Sequence, residues 1–459
     1  MQDPLPELVE NILAPARARH RWHMAALLSQ LSRTWRERIA GWREEQPSVS
    51  ITAKKSAESG AGDEWLYAWE RPPLDANMAK ILVAEVPRCA CLELLWWSVD
   101  QPTLAFFATF ERLTCLLLET CAGIDDDGLR ALEPLCPRLE KLSLWAHGEM
   151  ESSALCLFLG RCTRLRAVTL NLQRYTQMRH DIPFSRAQIA GRKVIKCLAT
   201  LKELRHVALY ELEYDAVNKT AAYGDELELA EPVLAVLAKG CALESFKIAE
   251  CLMETADDLA ALGDCPSLTL LDWGARSSCE AIRSLCRGCP GLLDLTLNEE
   301  SFPIDPKAVI EIATHCPRLT RLDVAENRKL DDAAVLALVG RLPSHPHANG
   351  CPRLRRLNLG LNDDFEDYDV LTVRSQITNL SIGCLCEPRV LPRLEWLCVR
   401  GRTPMGHEDR VTLLSELTPE HLEAVSRARP GLTIDQRPPT QRDGQHQGDP
   451  ARRSQSTVV

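Results

Sequence analysis

One short pattern recurs along the chain, and many copies open with the same residues. Cys-Pro-Arg-Leu stands at Cys136, Cys316 and Cys351, with variants at Cys265 (Cys-Pro-Ser-Leu) and Cys289 (Cys-Pro-Gly-Leu). Apolar residues follow the leucine three and five positions on, as in Leu139, Leu142, Leu144 and in Leu319, Leu322, Val324. The spacing of two between the last pair is that of a strand burying one face. A unit of this size cannot bury that face alone. Copies must stack, so the pattern predicts a chain that grows lengthwise around a continuous core.

L-x-x-L-x-L is the strand signature of a leucine-rich repeat. The residues that open the strands are Leu92, Leu113, Leu139, Leu165, Leu204, Leu243, Leu268, Leu292, Leu319, Leu354, Ile377, Leu394 and Leu432. Most spacings are 21 to 27 residues, enough for a strand, a turn and a helix, while four reach 35 to 39. The extra residues fall in 173–193, 211–226, 343–350 and 401–417, which read as surface loops. The predicted fold is α/β: a right-handed leucine-rich-repeat solenoid, a horseshoe with a parallel sheet on its concave face and helices outside. Residues 89–435 form it, after a linker and an atypical first repeat over 43–88 and a small helical domain over 1–42. The polar residues 436–459 read as a disordered tail.

The repeat has internal logic. Cys121 and Cys251 follow the strands at Leu113 and Leu243, and Asn327 and Asn362 take that place after Val324 and Leu359. A side chain there should bond the backbone of a neighbouring turn, an amide with donor and acceptor, a thiol more weakly. Aspartates come next, Asp125-Asp126-Asp127 and Asp331-Asp332, as expected of helix N-caps.

The 19 cysteines are spread through the body of the chain and recur in register. Cys89, Cys136, Cys162, Cys265, Cys289, Cys316 and Cys351 each precede a strand-opening leucine by three residues. That placement suits a small buried hydrophobe better than a disulfide. Met1-Gln2-Asp3-Pro4 lacks the basic and apolar regions of a signal peptide, and no run approaches the ~18 apolar residues of a membrane helix. A reduced protein of the cytoplasm, the nucleus or both is expected, with no membrane partner. The net charge of −10 argues against nucleic acid.

Cys286 with Cys289 and Cys384 with Cys386 have no second pair at zinc spacing, so no metal is expected. There is no phosphate loop and no nucleophile triad, so neither catalysis nor a cofactor is expected.

Strand alternation assigns a binding face. Its expected target-binding residues are Leu94, Trp96, Leu117, Trp145 and Tyr210 in the earlier repeats, then Asp272, Asp294, Arg321, Asp323, Arg356, Trp396 and Arg400. The aromatic and aliphatic group suits an apolar anchor. Asp272, Asp294 and Asp323 occur in consecutive repeats and should form a column suited to a basic segment.

The N-terminus opens with Leu5, Pro6, Leu8, Ile12 and Leu13, and continues to Leu28, Leu31, Ser32, Arg33 and Trp35. This stretch resembles an F-box, with Ala14 to His23 replacing the usual middle of the motif. The repeats resemble the cysteine-containing leucine-rich repeats found behind F-boxes. The resemblance implies the substrate-recognition subunit of a Skp–cullin–F-box ubiquitin ligase. Leu5, Pro6, Leu8, Ile12, Leu13, Leu28, Leu31 and Trp35 would bind the Skp-family adaptor that joins the cullin-based core, and the repeats would bind a target protein. The alternative is a repeat scaffold or regulator with no ligase attached.

Overall fold

The computed structural model describes residues 48–52, 73–95, 97–147, 150, 152–171, 191–210, 232–249, 256–274, 277–297, 304–325, 327, 329–345, 349–360, 377–385, 387, 389–399 and 418–435. The expected adaptor-binding residues, the tail, Trp96, Cys251, Asn362, Arg400 and most of the long insertions lie outside them. Two compact units divide the chain, Met1–Leu252 and Met253–Val459.

In the first unit, strands and helices alternate. In chain order they are β1 (Ser48–Thr52), β2 (Pro73–Leu74), α1 (Ala76–Glu85), β3 (Cys91–Leu95), β4 (Ser98–Val99), α2 (Gln101–Phe107), β5 (Cys115–Ala122) and α3 (Asp126–Leu132). There follow β6 (Lys141–His147), α4 (Ser152–Arg161), β7 (Ala167–Asn171), α5 (Gly191–Leu198), β8 (His206–Tyr210), α6 (Val233–Gly240) and β9 (Ser245–Ala249). The strands β1, β3 and β5 to β9 form one parallel ladder in that order. The short β2 and β4 pair beside it. Each helix packs on the next.

The second unit repeats the scheme with α7 (Ala256–Ala261), β10 (Leu270–Gly274), α8 (Cys279–Gly288), β11 (Asp294–Leu297), α9 (Pro306–His315) and β12 (Arg321–Asp323). It continues through α10 (Asp332–Leu338), β13 (Arg356–Asn358), α11 (Asn379–Cys384), β14 (Trp396–Cys398), α12 (Pro419–Ala428) and β15 (Thr433–Asp435). Its strands are again parallel neighbours in sequence order. This is the α/β leucine-rich-repeat solenoid that the sequence predicts.

The core lies between sheet and helices. Registered leucines fill it, for example Leu116, Leu142, Val168 and Val207 in one row and Leu295, Leu322, Leu357 and Leu397 in another, all buried. Helices start where the side-chain acceptors stand. Asp125 Oδ1 accepts from Gly128 N at 2.8 Å and Asp331 Oδ1 from Ala334 N at 3.0 Å, and Asp75, Asp100 and Ser278 cap their helices in the same way. Successive helices approach closely. A Cβ on Gly288 would stand 1.9 Å from the Gly263 carbonyl oxygen, so only glycine fits there.

The stacked cysteines tie one repeat to the one before it. Cys289 Sγ donates to the carbonyls of Cys265 at 3.1 Å and Leu262 at 3.3 Å, and Cys241 Sγ to those of Leu198 and Leu201 at 3.4 Å. Burial pushes the Cys289 thiol up to about 12, with Cys265 and Cys316 adding to the rise. Arg429 occupies the cysteine position of the last repeat. It is buried and donates to the carbonyls of Val390 at 3.2 Å, Leu391 at 2.6 Å and Leu394 at 3.4 Å. Among the described residues Asn327 makes the fullest set of these links. Its Nδ2 donates to Leu297, Val324 and Ala325 carbonyls at 3.1, 2.8 and 2.9 Å, and its Oδ1 accepts from Ile304 N at 2.7 Å.

Two expectations are corrected. The first strand is read three residues late. Leu92 pairs with Leu116 and Leu94 with Leu118, so Cys89 itself takes the place that Leu113 holds in the next repeat. Leu94 is therefore fully buried rather than presented for binding. Ile377 opens no strand. It is buried just before α11, and Leu380, expected inside, is 69% exposed. Apolar residues three apart share a helix face as readily as they fit this pattern, so that spacing alone did not settle the element there.

Candidate functional site

The sheet face opposite the helices carries the alternate side chains. In the first unit one row across the strands reads Cys91, Cys115, Lys141, Ala167, His206, Ser245. The next reads Glu93, Leu117, Ser143, Thr169, Ala208, Lys247. Trp145, Asn171 and Tyr210 share a third.

The Trp145 and Tyr210 rings lean toward each other across the intervening strand, their centroids 5.8 Å apart at 45°. Asn171, between them in the row, is buried. Lys247 places Nζ 5.5 Å from the Tyr210 centroid, a cation–π contact. The Trp145 indole nitrogen is enclosed with no acceptor among the described residues. Nearby, Ser143 Oγ donates to Glu119 Oε1 at 3.2 Å. Burial holds the Glu119 carboxyl above its usual range, Glu93 adds to the rise, and Ser143 and Lys141 oppose it. Leu117 stands half-buried among these groups. Trp145, Tyr210 and Leu117 thus share the open face as expected, while Cys91 and Glu93 occupy positions assigned to other residues.

In the second unit the first row reads Leu270, Asp294, Arg321, Arg356, Trp396, Thr433, and the second Asp272, Thr296, Asp323, Asn358, Cys398, Asp435. The expected aspartate column is not present. Asp294 stands one row away from Asp272 and Asp323, and Thr296 separates those two. Asp294 instead accepts from the guanidinium of Arg321, its direct neighbour. Burial raises the Asp294 carboxyl, the Arg321 charge and hydrogen bond lower it, and Asp272 and Asp323 raise it again, with a net upward shift. Asp323 accepts from Asn358 Nδ2 and Ala325 N, both at 3.1 Å. The Arg356 guanidinium carbon lies 5.3 Å from the Trp396 ring centroid. The row is a chain of mixed contacts, carboxylate to guanidinium and guanidinium to indole. Sequence spacing placed Asp294, Arg321, Arg356 and Trp396 on this face, but the partner choices depend on register.

No family model matches the sequence, and no curated protein does. Among solved structures, the chain is similar to one from the yeast complex of Rad7 and Elc1, at 14% identity and a TM-score of 0.51, covering 94% of this chain and 90% of that one. It is also similar to an internalin of Listeria monocytogenes str. 4b F2365, at 16% identity and a TM-score of 0.34, covering 82% of this chain and 98% of that one. The first of these likenesses shows the fold.

Among the described residues the two open faces carry aromatic planes, paired charges, half-buried amides and, on β3 and β5, two adjacent thiols. Two depressions lie on the helical side. One is lined by Lys196, Lys202 and Lys239 among others, the second by Arg130, Glu133 and Arg161. Among the described residues no cluster of three or more His, Cys, Asp or Glu could hold a metal ion, and no helix is long and apolar enough to cross a membrane.

Proposed function

We propose that this chain is a non-catalytic recognition subunit that holds a target protein against the open face of its repeats. The observation that carries this reading is the Trp145–Tyr210–Lys247 cluster. A rigid aromatic pair on a solvent-facing sheet, with a cation on one ring, has the composition of an interface anchor. Replacing Trp145 with Ala should weaken target capture by about 2 kcal/mol or more, roughly thirtyfold in Kd, if it anchors the complex. Unchanged capture by a folded variant rejects this face as the reading surface.

The finer reading is the substrate-recognition subunit of a Skp–cullin–F-box ubiquitin ligase acting in the cytoplasm, the nucleus or both. It rests on the resemblance of Leu5 to Trp35 to an F-box, placed ahead of repeats that resemble those found behind F-boxes. A chain of similar fold occurs in the complex of Rad7 and Elc1, which supports an assembly with a further protein. Under this reading the ligase core supplies all chemistry, and the chain needs no cofactor. Replacing both Leu8 and Ile12 with Lys should abolish capture of a Skp-family adaptor and leave the repeats folded by circular dichroism. Adaptor capture that survives the double change overturns the F-box reading and leaves the repeat scaffold.

A further inference from the structure

Cys91 and Cys115 are directly opposed residues of the neighbouring parallel strands β3 and β5. Both project from the open face, because Leu92 and Leu116, which follow them, are buried in the core. Their sulfurs touch at 2.8 Å as one thiol hydrogen-bonds the other. Adjacent strands lie about 4.8 Å apart, inside the Cα separation of about 4.4–6.8 Å that a disulfide spans. Both residues are half-buried, so a small reagent has access, whereas Cys136, Cys162, Cys286, Cys289, Cys316 and Cys351 are buried.

We propose that Cys91 and Cys115 form a redox modification site, a dithiol that a small-molecule disulfide of the glutathione class converts into a cross-strand bridge on the open face. The Cys91 thiolate attacks one sulfur of the small disulfide. The S–S bond of the reagent breaks, a mixed disulfide forms on Cys91, and one thiolate leaves. Cys115, deprotonated by solvent, then attacks the Cys91 sulfur and expels the second small thiolate. The dithiol loses two electrons and two protons, and the reagent is reduced to two thiols.

The surroundings favour this order of attack. The Cys115 thiol, through its hydrogen bond, holds the Cys91 thiol below its ordinary value. Burial and Glu93 oppose that effect and Lys141 assists it. Cys115 is pushed upward, first by the same bond and then by burial. Lys141 follows Cys115 in the row, so a cation stands beside the pair. Cys89, two residues from Cys91, is a poor competitor. It is buried, its sulfur donates to the Cys91 carbonyl at 3.1 Å, and burial raises its thiol to about 12. The bridge would fasten β3 to β5 and replace two polar thiols with an apolar disulfide between Glu93 and Lys141.

The test equilibrates the native full chain with mixtures of oxidised and reduced glutathione, quenches it with an alkylating reagent, and maps tryptic peptides by mass. Cleavage after Arg88, Arg112 and Arg130 places Cys91 and Cys115 on separate peptides. The expected result is that these two peptides become joined and the melting temperature rises. Cys91→Ser should abolish the joined species. Cys115→Ser should also abolish it and leave glutathione attached to Cys91. Cys89→Ser should leave the bridge in place. Wild-type protein in which Cys91 and Cys115 both stay alkylatable under oxidation overturns the proposal, and so does a joined species that survives Cys91→Ser.

Discussion

Arg321 donates to the carboxylate of Asp294 from the directly opposed position on the next strand. The Asp294 side chain is 13% exposed and that of Arg321 34%. The two ends of this pair therefore differ in what they cost when left alone. An enclosed carboxylate without its cation has lost most of its water, while a guanidinium at the edge can recover some.

The asymmetry is measurable. Arg321→Met should destabilise the fold more than Asp294→Asn, by about 1–3 kcal/mol against about 1 kcal/mol or less. Acidification should reverse part of the Arg321→Met loss. Without its cation, Asp294 has a folded-state pKa raised further above the unfolded value, so the native state of the variant gains stability as pH falls through that window. Thermal melts at pH 7 and pH 5 read both effects. Equal costs, or a variant that weakens further on acidification, would contradict the pairing.

Asn327 tests the polar links between repeats. Asn327→Ala strips partners from the Ile304 amide and from the carbonyls of Leu297, Val324 and Ala325. A loss of about 2–4 kcal/mol is expected, since each buried polar group left unpaired costs about 1–3 kcal/mol and water can reach some of them. Urea unfolding of the full chain supplies the number. A cost below 1 kcal/mol would mean that the amide is not the tie between these turns.

Glu119 sets a pH signature on the first unit. Its folded-state carboxyl is raised, chiefly by burial and then by Glu93. A carboxyl that binds its proton more tightly when folded lends stability as pH falls from the raised value toward the unfolded one, and is a burden when ionised at neutral pH. Glu119→Gln keeps a hydrogen-bond partner for Ser143 and removes the charge. It should therefore raise the melting temperature at pH 7, and the gain should shrink on acidification. A variant less stable at pH 7 than the parent would show that the carboxylate is needed there.

The cysteines divide by position. Under reducing preparation, a native-state thiol titration should find a small reactive set led by Cys91. Cys136, Cys162, Cys265, Cys289, Cys316 and Cys351, all buried, should react only on unfolding. Denatured protein should release nearly all 19 thiols. Stoichiometric zinc, or bridges among the buried set, would contradict the packing seen here.

The repeat pattern by itself determined the class of fold, because leucines at that spacing leave a strand only one face to bury and copies of it can bury that face only by stacking. It likewise marked the capping aspartates, the role of Asn327 and the recurrent buried cysteine, since each follows from a position that every repeat reuses. Where two apolar sets compete, local pattern is silent. Leu92 with Leu94 and Leu95 with Trp97 both suit a strand, and only pairing to β5 chose the first, moving Leu94 to the core and Cys91 and Glu93 to the open face. Ile377 likewise suited strand or helix until the neighbouring elements placed it beside α11. Contacts between repeats were beyond the sequence for a related reason. Which carboxylate meets which guanidinium, which thiols touch and which rings lean together depend on lateral register between segments some 24 to 65 residues apart. That register is decided by how whole repeats pack, and no local propensity encodes it.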